Sequence, residues 1–258
     1  MKNNYQKNND FKNSDTENEE IIAGRNAVLE ALNAGREINK ILFQEGIEKG
    51  RLKNIFNKAN AEKIICQEVP KRKLDSLTKD RHQGVVAYVA PYKYHDFDEF
   101  LTNLDITKKT TLLILDHIED PHNLGAIIRT AEASGVSGVI IPKRRSAVVS
   151  ATVVKASAGA IEYMPIMRVG NLVNVIKKLK DHTFWIAGTT LSEKSENYTK
   201  IAKDVPLAIV IGNEGSGMSD VVEAECDFLY HMPMLGKTQS LNASVSAGII
   251  MYERIKEN

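Results

Sequence analysis

Residues 111–134 read TLLILDHIEDPHNLGAIIRTAEAS, and this stretch decides the fold. The run TLLIL at 111–115 is continuously apolar and is bounded by polar residues, which is typical of a strand buried on both faces. A polar segment follows, and the apolar spacing after it predicts a helix over 123–134 that Gly135 ends. A strand, a polar loop and a helix in this order form the repeating unit of a parallel α/β sheet.

The same order recurs up to the C-terminus. Further strands are predicted at 138–141, 184–187, 207–211 and 228–231. Further helices are predicted at 151–158, 171–180, 218–224 and 242–256. We therefore expect an α/β fold in which residues 109–258 form a C-terminal domain with a parallel sheet covered by helices.

The sequence before this domain divides into three parts. Residues 1–20 are almost entirely polar and cannot bury enough apolar surface to offset their ordering entropy, so a disordered tail is predicted. Residues 21–90 alternate helical and strand patterns, which predicts a second, small α/β domain, and residues 91–108 are a linker and a first helix. Within the small domain, helices are predicted at 26–33, 49–60 and 71–77 and strands at 40–44, 64–67 and 84–89.

One helix of the small domain has a clear apolar face. Over 49–60, the residues Leu52, Ile55, Phe56 and Ala59 follow the i, i+3, i+4, i+7 spacing of an amphipathic helix. All four are therefore expected to pack inward.

The composition excludes membrane-spanning and secreted proteins. No apolar run approaches the about 20 residues of a transmembrane helix, and the N-terminus lacks the apolar core of a secretory signal. The only two cysteines, Cys66 and Cys226, show neither a disulfide framework nor metal-site spacing. This pattern favours a reducing, cytoplasmic compartment.

Charge is distributed unevenly along the chain, although the net charge is only +1. Residues 21–92 contain 13 Lys and Arg against 8 Asp and Glu, whereas the tail has 3 against 5 and the remainder has 18 against 20. The basic surplus favours a polyanionic partner for this segment, and a solvated lysine-rich surface explains it equally well.

Polar and glycine-rich segments follow four of the predicted strands. They are DHIEDPHNLG at 116–125, GTT at 188–190, GNEGSG at 212–217 and MPMLGKTQSLN at 232–242. Ligands of open parallel sheets bind beyond the carboxyl ends of the strands, so several such segments at one edge favour a ligand site over mere tight turns. Asn123 is predicted to cap the helix, and Arg129, about 9 Å further along it, can lean back toward the same edge.

Two nucleotide-binding motifs and a metal site are not supported. GKT at 236–238 imitates the end of a phosphate-binding loop, but that loop needs a glycine where His231 stands. The glycines of 212–217 have the reverse of the dinucleotide-binding spacing. The histidines form no zinc motif, and the acidic segment 116–122 is better explained as a solvated loop than as a metal site.

At these positions the chain resembles the SpoU, or TrmH-type, branch of the SPOUT RNA methyltransferases. The family's first motif, Asn-x-Gly followed by a helical arginine, matches Asn123-Leu-Gly125 with Arg129. Its second, Gly-x-Glu-Gly after an apolar strand, matches 212–215. Its third matches Pro233-Met234 and the SLNAS of 240–244, where Ala243 replaces the valine of many members.

The N-terminal segments GRNAVLEAL at 24–32 and HQGVVA at 82–87 resemble the substrate-binding domain of one subgroup. Members of that subgroup methylate a guanosine ribose in large-subunit (23S) ribosomal RNA. The resemblance implies a deep trefoil knot in the C-terminal domain, a homodimer, and an N-terminal domain similar to a ribosomal RNA-binding protein. The implied partner is RNA, and neither DNA nor a membrane is expected.

The implied reaction transfers a methyl group from S-adenosylmethionine to a ribose 2′-hydroxyl without a metal. The resemblance assigns a catalytic set around the ribose and its phosphate, namely Asn123, Arg129, Glu214, Ser240 and Asn242. It assigns a second set to the cofactor, namely Gly188, Thr189, Gly212, Met232 and Leu241.

Three questions stay open at this point. The N-terminal domain favours ribosomal RNA over transfer RNA as substrate, and the intact polar set argues against a catalytically silent RNA-binding protein. A protonated guanidinium has no acceptor, so a phosphate clamp or an alkoxide stabiliser is favoured over a base as the role of Arg129.

Overall fold

The computed structural model describes residues 20–47, 49–79 and 81–256. The predicted disordered tail lies outside the described residues except for Glu20, which pairs with Val89 as the first residue of a strand. Among the described residues, no helix combines the length and the apolar character needed to cross a membrane.

The N-terminal unit is a four-stranded sheet covered by helices. Its elements are β1 (Glu20–Ala23), α1 (Arg25–Asn33), β2 (Ile38–Gln44), a 3-10 turn (Lys49–Leu52), α2 (Lys53–Ala61), β3 (Ile65–Val69), α3 (Lys71–Leu77) and β4 (Val85–Val89). In the strand order β1-β4-β2-β3, β4 runs antiparallel to both neighbours and β3 runs parallel to β2. The sequence patterns do not reveal β1, because its four residues are too few to show an alternating pattern.

The apolar face predicted around α2 is correct at three positions and wrong at Phe56. Leu52, Ile55 and Ala59 are buried, but the side chain of Phe56 is 45% exposed. Its ring meets the ring of Phe43 edge-on, with 5.7 Å between centroids, and its remaining surface faces solvent. A hydrophobic group at the margin of a helical face can therefore match the spacing and still lie beside the core.

The C-terminal unit contains the predicted parallel sheet. It begins with α4 (Phe97–Asn103), β5 (Thr111–Leu115), α5 (Pro121–Ala133), β6 (Gly138–Pro142), α6 (Ala151–Ala156) and β7 (Ile166–Val169). It continues with α7 (Leu172–Asp181), β8 (Trp185–Thr189), β9 (Glu196–Asn197), β10 (Leu207–Ile211), α8 (Asp220–Glu223), β11 (Phe228–His231) and α9 (Ala243–Ile255). The short strands β7 and β9 are additions to the predicted set.

All seven strands of this sheet are parallel, in the order β7-β6-β5-β10-β8-β11-β9. All five residues of β5 and all five of β10 are buried, as expected for strands covered by helices on both faces. The chain leaves β5 toward β6 on one side and later returns as β10 on the other. The crevice beyond the ends of β5 and β10 is therefore the switch point at which open α/β sheets bind ligands.

Arg36 joins the two units. Its guanidinium donates to Glu162 of the C-terminal unit at 2.9 Å, to Glu20 of β1 at 3.0 Å and to the carbonyl oxygen of Ala90 at 3.0 Å. The side chains of Arg36 and Glu162 are only 8% and 6% exposed. A buried carboxylate left without its partner is costly, so this ion pair fixes the orientation of the small unit.

Replacing Arg36 by alanine is expected to lower the free energy of unfolding by about 3 kcal/mol, because Glu162 would stay buried without its cation. Urea titration of the full chain measures the effect. The matched control is Lys200→Ala, which removes an ion pair with Glu196 whose side chains are 67% and 59% exposed. That change should alter stability by less than about 1 kcal/mol, and equal losses in both variants would contradict the account of the junction.

Candidate active site

A cleft of about 380 Å³ opens beyond the carboxyl ends of β8, β10 and β11. Three stretches of chain line it, namely Thr189–Leu191, Ile211–Gly217 and Tyr230–Met232, together with Met234, Gln239–Leu241, Ala243 and Ser246. The cleft lies at the carboxyl edge of the sheet, as expected, but beside β8 and β11 rather than at the crevice between β5 and β10. Its volume falls in the range of about 300–1,000 Å³ that is usual for small-molecule sites.

Three polar side chains from three separate segments of the chain meet at the rim of this cleft. Glu214 Oε1 accepts hydrogen bonds from Asn123 Nδ2 at 2.7 Å and from Asn242 Nδ2 at 2.5 Å. It also accepts from the backbone N–H of Ala243 at 3.0 Å, and Asn242 Nδ2 donates in addition to Asn123 Oδ1 at 2.9 Å. We call these three residues the Asn–Glu–Asn cluster.

The cluster leaves one carboxylate oxygen available. Within the described part of the chain, Glu214 Oε2 accepts no hydrogen bond, and the residue is exposed. Three donors on Oε1 fix the carboxylate plane and so the direction of Oε2. The cluster can therefore present an oriented acceptor to a hydroxyl group that enters the cleft.

Helix ends hold the cluster in place. Asn242 caps α9, because its Oδ1 accepts from the N–H groups of Ser244 at 3.0 Å and Val245 at 3.3 Å while its Nδ2 serves the cluster. The prediction that Asn123 caps α5 is wrong. Asp120 is the cap, accepting from the N–H of His122 at 2.8 Å, and Asn123 is the third helical residue. The helix starts earlier than predicted because proline fits its first position.

Asp116 connects two loops beside the cleft, and the sequence did not predict this structural role. It is 2% exposed, and its Oδ2 accepts from both the N–H and the Oγ of Ser219 at 2.8 Å. Its Oδ1 lies 2.8 Å from His117 Nδ1. The interpretation of 116–122 as a solvated loop is therefore wrong at Asp116, which ties the end of β5 to the turn after β10.

The turn after β10 depends on a glycine without space for a side chain. A Cβ on Gly212 would lie 2.3 Å from the carbonyl carbon of Gly217 and 2.4 Å from the nitrogen of Met218. The turn is closed by paired hydrogen bonds between the backbones of Asn213 and Gly217, at 3.0 and 2.9 Å. Asn213 Nδ2 also donates to the carbonyl oxygen of His117 at 2.9 Å, which links this turn to the first loop.

The residues assigned to a cofactor are placed as follows. Thr189, Gly212, Met232 and Leu241 line the cleft, and Thr189 Oγ1 donates to the carbonyl oxygen of Val210 at 3.1 Å. Gly188 does not line it. Its missing side chain leaves space for Met218, Cys226 and Leu229, because a Cβ there would lie 2.6, 2.8 and 3.1 Å from their side-chain atoms.

Several lining residues are not among the predicted site residues. Thr190 and Met234 lie within the polar segments predicted to follow β8 and β11. Leu191, Tyr230 and His231 belong to no motif, and their only sequence signal is that they lie at the carboxyl ends of these two strands.

Ser240 and Arg129 stand apart from the cluster. Ser240 lines the cleft and is exposed. Arg129 is an exposed residue of α5, about 240° around the helix axis from Asn123 at 3.6 residues per turn. Among the residues that the structure describes, Arg129 makes no ion pair or hydrogen bond, so its guanidinium is free to meet a ligand outside this chain's own contacts.

No metal cluster is evident in the described residues, since no group of three or more His, Cys, Asp or Glu side chains is close enough to hold an ion. Both cysteines are free. The pKa of the Cys226 thiol is raised to about 12, and burial is the main cause.

Family models and related sequences place this chain in the same family of proteins. Residues 110–252 match the model of the SpoU rRNA Methylase family, and residues 21–95 match the model described as RNA 2′-O ribose methyltransferase substrate binding. A protein of Staphylococcus saprophyticus assigned to the TrmH family of tRNA/rRNA methyltransferases is 55% identical over 234 residues, which are 90% of this chain and 94% of that protein.

Solved structures of related enzymes resemble this chain over different shares of its length. The AdoMet-bound rRNA methyltransferase of Sinorhizobium meliloti superimposes with a TM-score of 0.77 at 26% identity, covering 92% of this chain and 87% of that one. A TrmH/SpoU tRNA modifying enzyme of A. aeolicus reaches a TM-score of 0.53 at 30% identity, covering 62% of this chain and 80% of its own. The chain therefore belongs to the SpoU rRNA methylase family and is an RNA methyltransferase.

Proposed function

We propose that this protein transfers a methyl group from S-adenosylmethionine to the ribose 2′-hydroxyl of a guanosine in large-subunit (23S) ribosomal RNA. The observation that supports the proposal most is the Asn–Glu–Asn cluster, in which three segments distant in sequence place one oriented carboxylate beside the cleft. A methyl transfer to a hydroxyl requires positioning of the nucleophile and loss of its proton, and both can occur at such a group.

The cleft suits S-adenosylmethionine, which is the cofactor of this chain. Ile211, Met232 and Leu241 offer apolar surface, and the glycine turn brings backbone groups close to a ligand. When bound, S-adenosylmethionine supplies an electrophilic methyl group on a positively charged sulfur. The AdoMet-bound structure of the Sinorhizobium meliloti relative supports this assignment.

Side chains of this protein position the ribose hydroxyl and bind the nucleotide that carries it. Glu214 Oε2 accepts the hydrogen bond of the ribose hydroxyl and orients its oxygen, while Asn123 and Asn242 keep the carboxylate in place. Ser240 on the rim provides a further hydroxyl to the nucleotide. Arg129 clamps the neighbouring phosphate or stabilises the developing alkoxide, because a planar guanidinium pairs well with phosphate and carries no acceptor.

The substrate-binding unit favours ribosomal RNA. The likeness to the rRNA methyltransferase extends over 92% of this chain and so includes the small N-terminal unit. The likeness to the tRNA modifying enzyme covers only 62% of it. Transfer RNA remains the second candidate substrate, because the Staphylococcus relative carries both RNA classes in its name.

The substrate class can be tested with the purified full chain and S-adenosylmethionine labelled on its methyl group. Unmodified ribosomal RNA and unmodified transfer RNA are supplied separately and in competition. We expect label in 23S ribosomal RNA and only background in transfer RNA. Preferential labelling of transfer RNA would replace the proposed substrate with the second candidate, and the Glu214→Gln variant provides the background level.

We infer in addition that the protein is a homodimer. Helix α9 packs against α5, and its residues Ala247, Ile250 and Met251 are buried. Its opposite face exposes Val245 and Tyr252, which are 48% and 51% exposed and lie two turns apart on the helix. An exposed apolar face beside an active site is typical of a subunit interface.

We also infer a trefoil knot in the C-terminal unit and a cytoplasmic location. Strand β11 lies between β8 and β9, both of which precede it in sequence, and a chain that inserts between earlier strands can form a knot. A ribosomal RNA substrate and two free cysteines support a cytoplasmic protein.

A further inference from the structure

A basic groove lies on the N-terminal unit, apart from the active site. It is about 800 Å³ in volume and is formed by the start of α1, the turn after β2, helix α3 and the loop before β4. Four cationic residues line it: Arg25, Lys71, Lys79 and Arg81. The groove therefore gathers, on one surface, much of the basic surplus that the sequence places in this unit.

Over the residues that the structure describes, carboxylates do not balance the positive charge of this groove. Among the described residues, none of the four cations has an ion pair, and Asp75 is the only carboxylate in the lining. Asp75 already accepts a hydrogen bond from His82 Nε2 at 3.0 Å. Four cations beside one engaged carboxylate, counted over the described lining, favour a polyanionic ligand.

Hydrogen bonds connect the residues that form one wall of the groove. Gln83 and Gly84 both have positive φ, at 52° and 85°, and Gln83 Oε1 accepts from the N–H of Arg25 at 3.1 Å. The N–H of Gly84 donates to His82 Nδ1 at 3.0 Å, so the ring carries its proton on Nε2 and donates it to Asp75. This local network holds the loop before β4 against helix α3.

An apolar pocket of about 340 Å³ opens directly beside the groove. Phe43, Leu52 and Phe56 line it, and Gln44, Gly46 and Ile47 line both the pocket and the groove. Phe43 and Leu52 are buried at its base, whereas Phe56 is 45% exposed at its side. A flat, partly exposed ring in a concave apolar site offers a surface on which a nucleobase can stack.

Among the described residues, those that line the groove and the pocket form no hydrogen bond or ion pair with the C-terminal unit, whereas Arg36 and Glu30 do. Arg25 is the first residue of α1, and the junction residue Arg36 lies beyond the end of the same helix. A ligand can therefore occupy the groove and pocket while the small unit stays docked on the C-terminal unit.

We propose that the groove and the pocket together bind one unpaired nucleotide of the RNA substrate and its flanking phosphates. The phosphates lie along Lys71, Lys79 and Arg81, and the splayed base stacks on Phe56. A base within a duplex cannot enter a concave pocket, so this site selects a single-stranded loop or bulge. The proposal rests on the proposed function, since it assigns part of the recognition of the same RNA to this second site.

The test measures binding of the full chain to a short fluorescein-labelled single-stranded RNA of mixed sequence, and to the same RNA annealed into a duplex. The double variant Lys71→Ala, Arg81→Ala should weaken single-strand binding and reduce the slope of log Kd against log salt by about 1.4, at about 0.7 per phosphate contact. Phe56→Ala should weaken it by about 5- to 150-fold without changing the slope, which is the effect of losing one base–aromatic stack. Phe56→Tyr keeps the ring and should bind like the wild type.

Lys73→Ala is the matched control, because Lys73 is exposed on the same helix and does not line the groove. It should bind as the wild type does. Equal affinity for duplex and single strand, together with a silent Phe56→Ala, would overturn the base pocket. A double variant that is indistinguishable from Lys73→Ala would overturn the groove.

Measurements of RNA binding, cofactor affinity and methylation distinguish a failure of the second RNA site from a failure of the proposed function. If both variants bind single-stranded RNA and methylate 23S ribosomal RNA as the wild type does, the second site is wrong and the proposed function stands. If the wild type methylates no RNA while the predicted binding differences appear, the proposed function fails and the second site stands. Thermal unfolding of Phe56→Tyr and Phe56→Ala excludes a folding defect as the cause of lost binding.

Discussion

The Glu214→Gln variant is expected to lose methyl transfer by about 10²- to 10⁴-fold, the contribution of a positioned proton acceptor. The amide oxygen can still accept from Asn123 and Asn242, so the cluster should persist. The group at the position of Oε2 becomes an N–H₂ donor, however, and can no longer accept from the ribose hydroxyl. The loss should therefore fall on kcat and leave the affinity for S-adenosylmethionine nearly unchanged.

Single-turnover methylation of ribosomal RNA and calorimetric binding of the cofactor make this measurement. Asp181→Asn is the control. Asp181 is an exposed carboxylate at the end of α7, so this substitution removes the same charge at a position away from the cleft. Wild-type turnover by Glu214→Gln would show that its carboxylate has no role in the reaction. A large loss of cofactor affinity would show instead that Glu214 mainly supports the cleft.

The Gly212→Ala variant should abolish cofactor binding, with the affinity falling by at least about 100-fold. A Cβ at Gly212 would lie 2.3 Å from the backbone of Gly217, and backbone cannot move aside as a flexible side chain can. The turn must open, which breaks the hydrogen bonds between Asn213 and Gly217 and displaces part of the cleft wall. Overpacking of this kind also costs about 1–3 kcal/mol of stability.

Gly215→Ala is the matched control within the same turn. A Cβ there would lie 3.5 Å from Asn213 Oδ1, which is an ordinary contact. Gly215→Ala should therefore bind the cofactor within a fewfold of the wild type. Calorimetric titration with S-adenosylhomocysteine compares the two, and retention of normal affinity by a folded Gly212→Ala would contradict the structure of the turn.

The sequence predicts the strands and helices whose pattern is visible within a short segment. The strands at 111–115 and 207–211 have the predicted bounds, because a fully buried strand is a continuous apolar run between polar residues. Strands β7 and β9 were not predicted, since four and two residues give no recognisable period. The start of α5 lies at Pro121, and the Asp-Pro pair before Asn123 is the signal that would have placed it there.

The candidate site is predictable where it follows from strand ends and not where it depends on distant partners. Asn123, Glu214 and Asn242 were expected at one edge of the sheet, and the structure places them within hydrogen-bonding distance. The burial of Asp116 depends on Ser219, which lies 103 residues further along the chain and gives no local signal. Phe56 shows the same limit, because its helical spacing cannot reveal an adjacent open pocket.

We propose that this chain methylates the 2′-hydroxyl of a guanosine in ribosomal RNA. The most direct measurement incubates the full chain with S-adenosylmethionine carrying a trideuterated methyl group and unmodified 23S ribosomal RNA, followed by nucleoside mass spectrometry and mapping of the modified position. The account predicts trideuterated 2′-O-methylguanosine at a single position. Deuterium on a base, or none in RNA exposed to a folded protein that binds the cofactor, would contradict it.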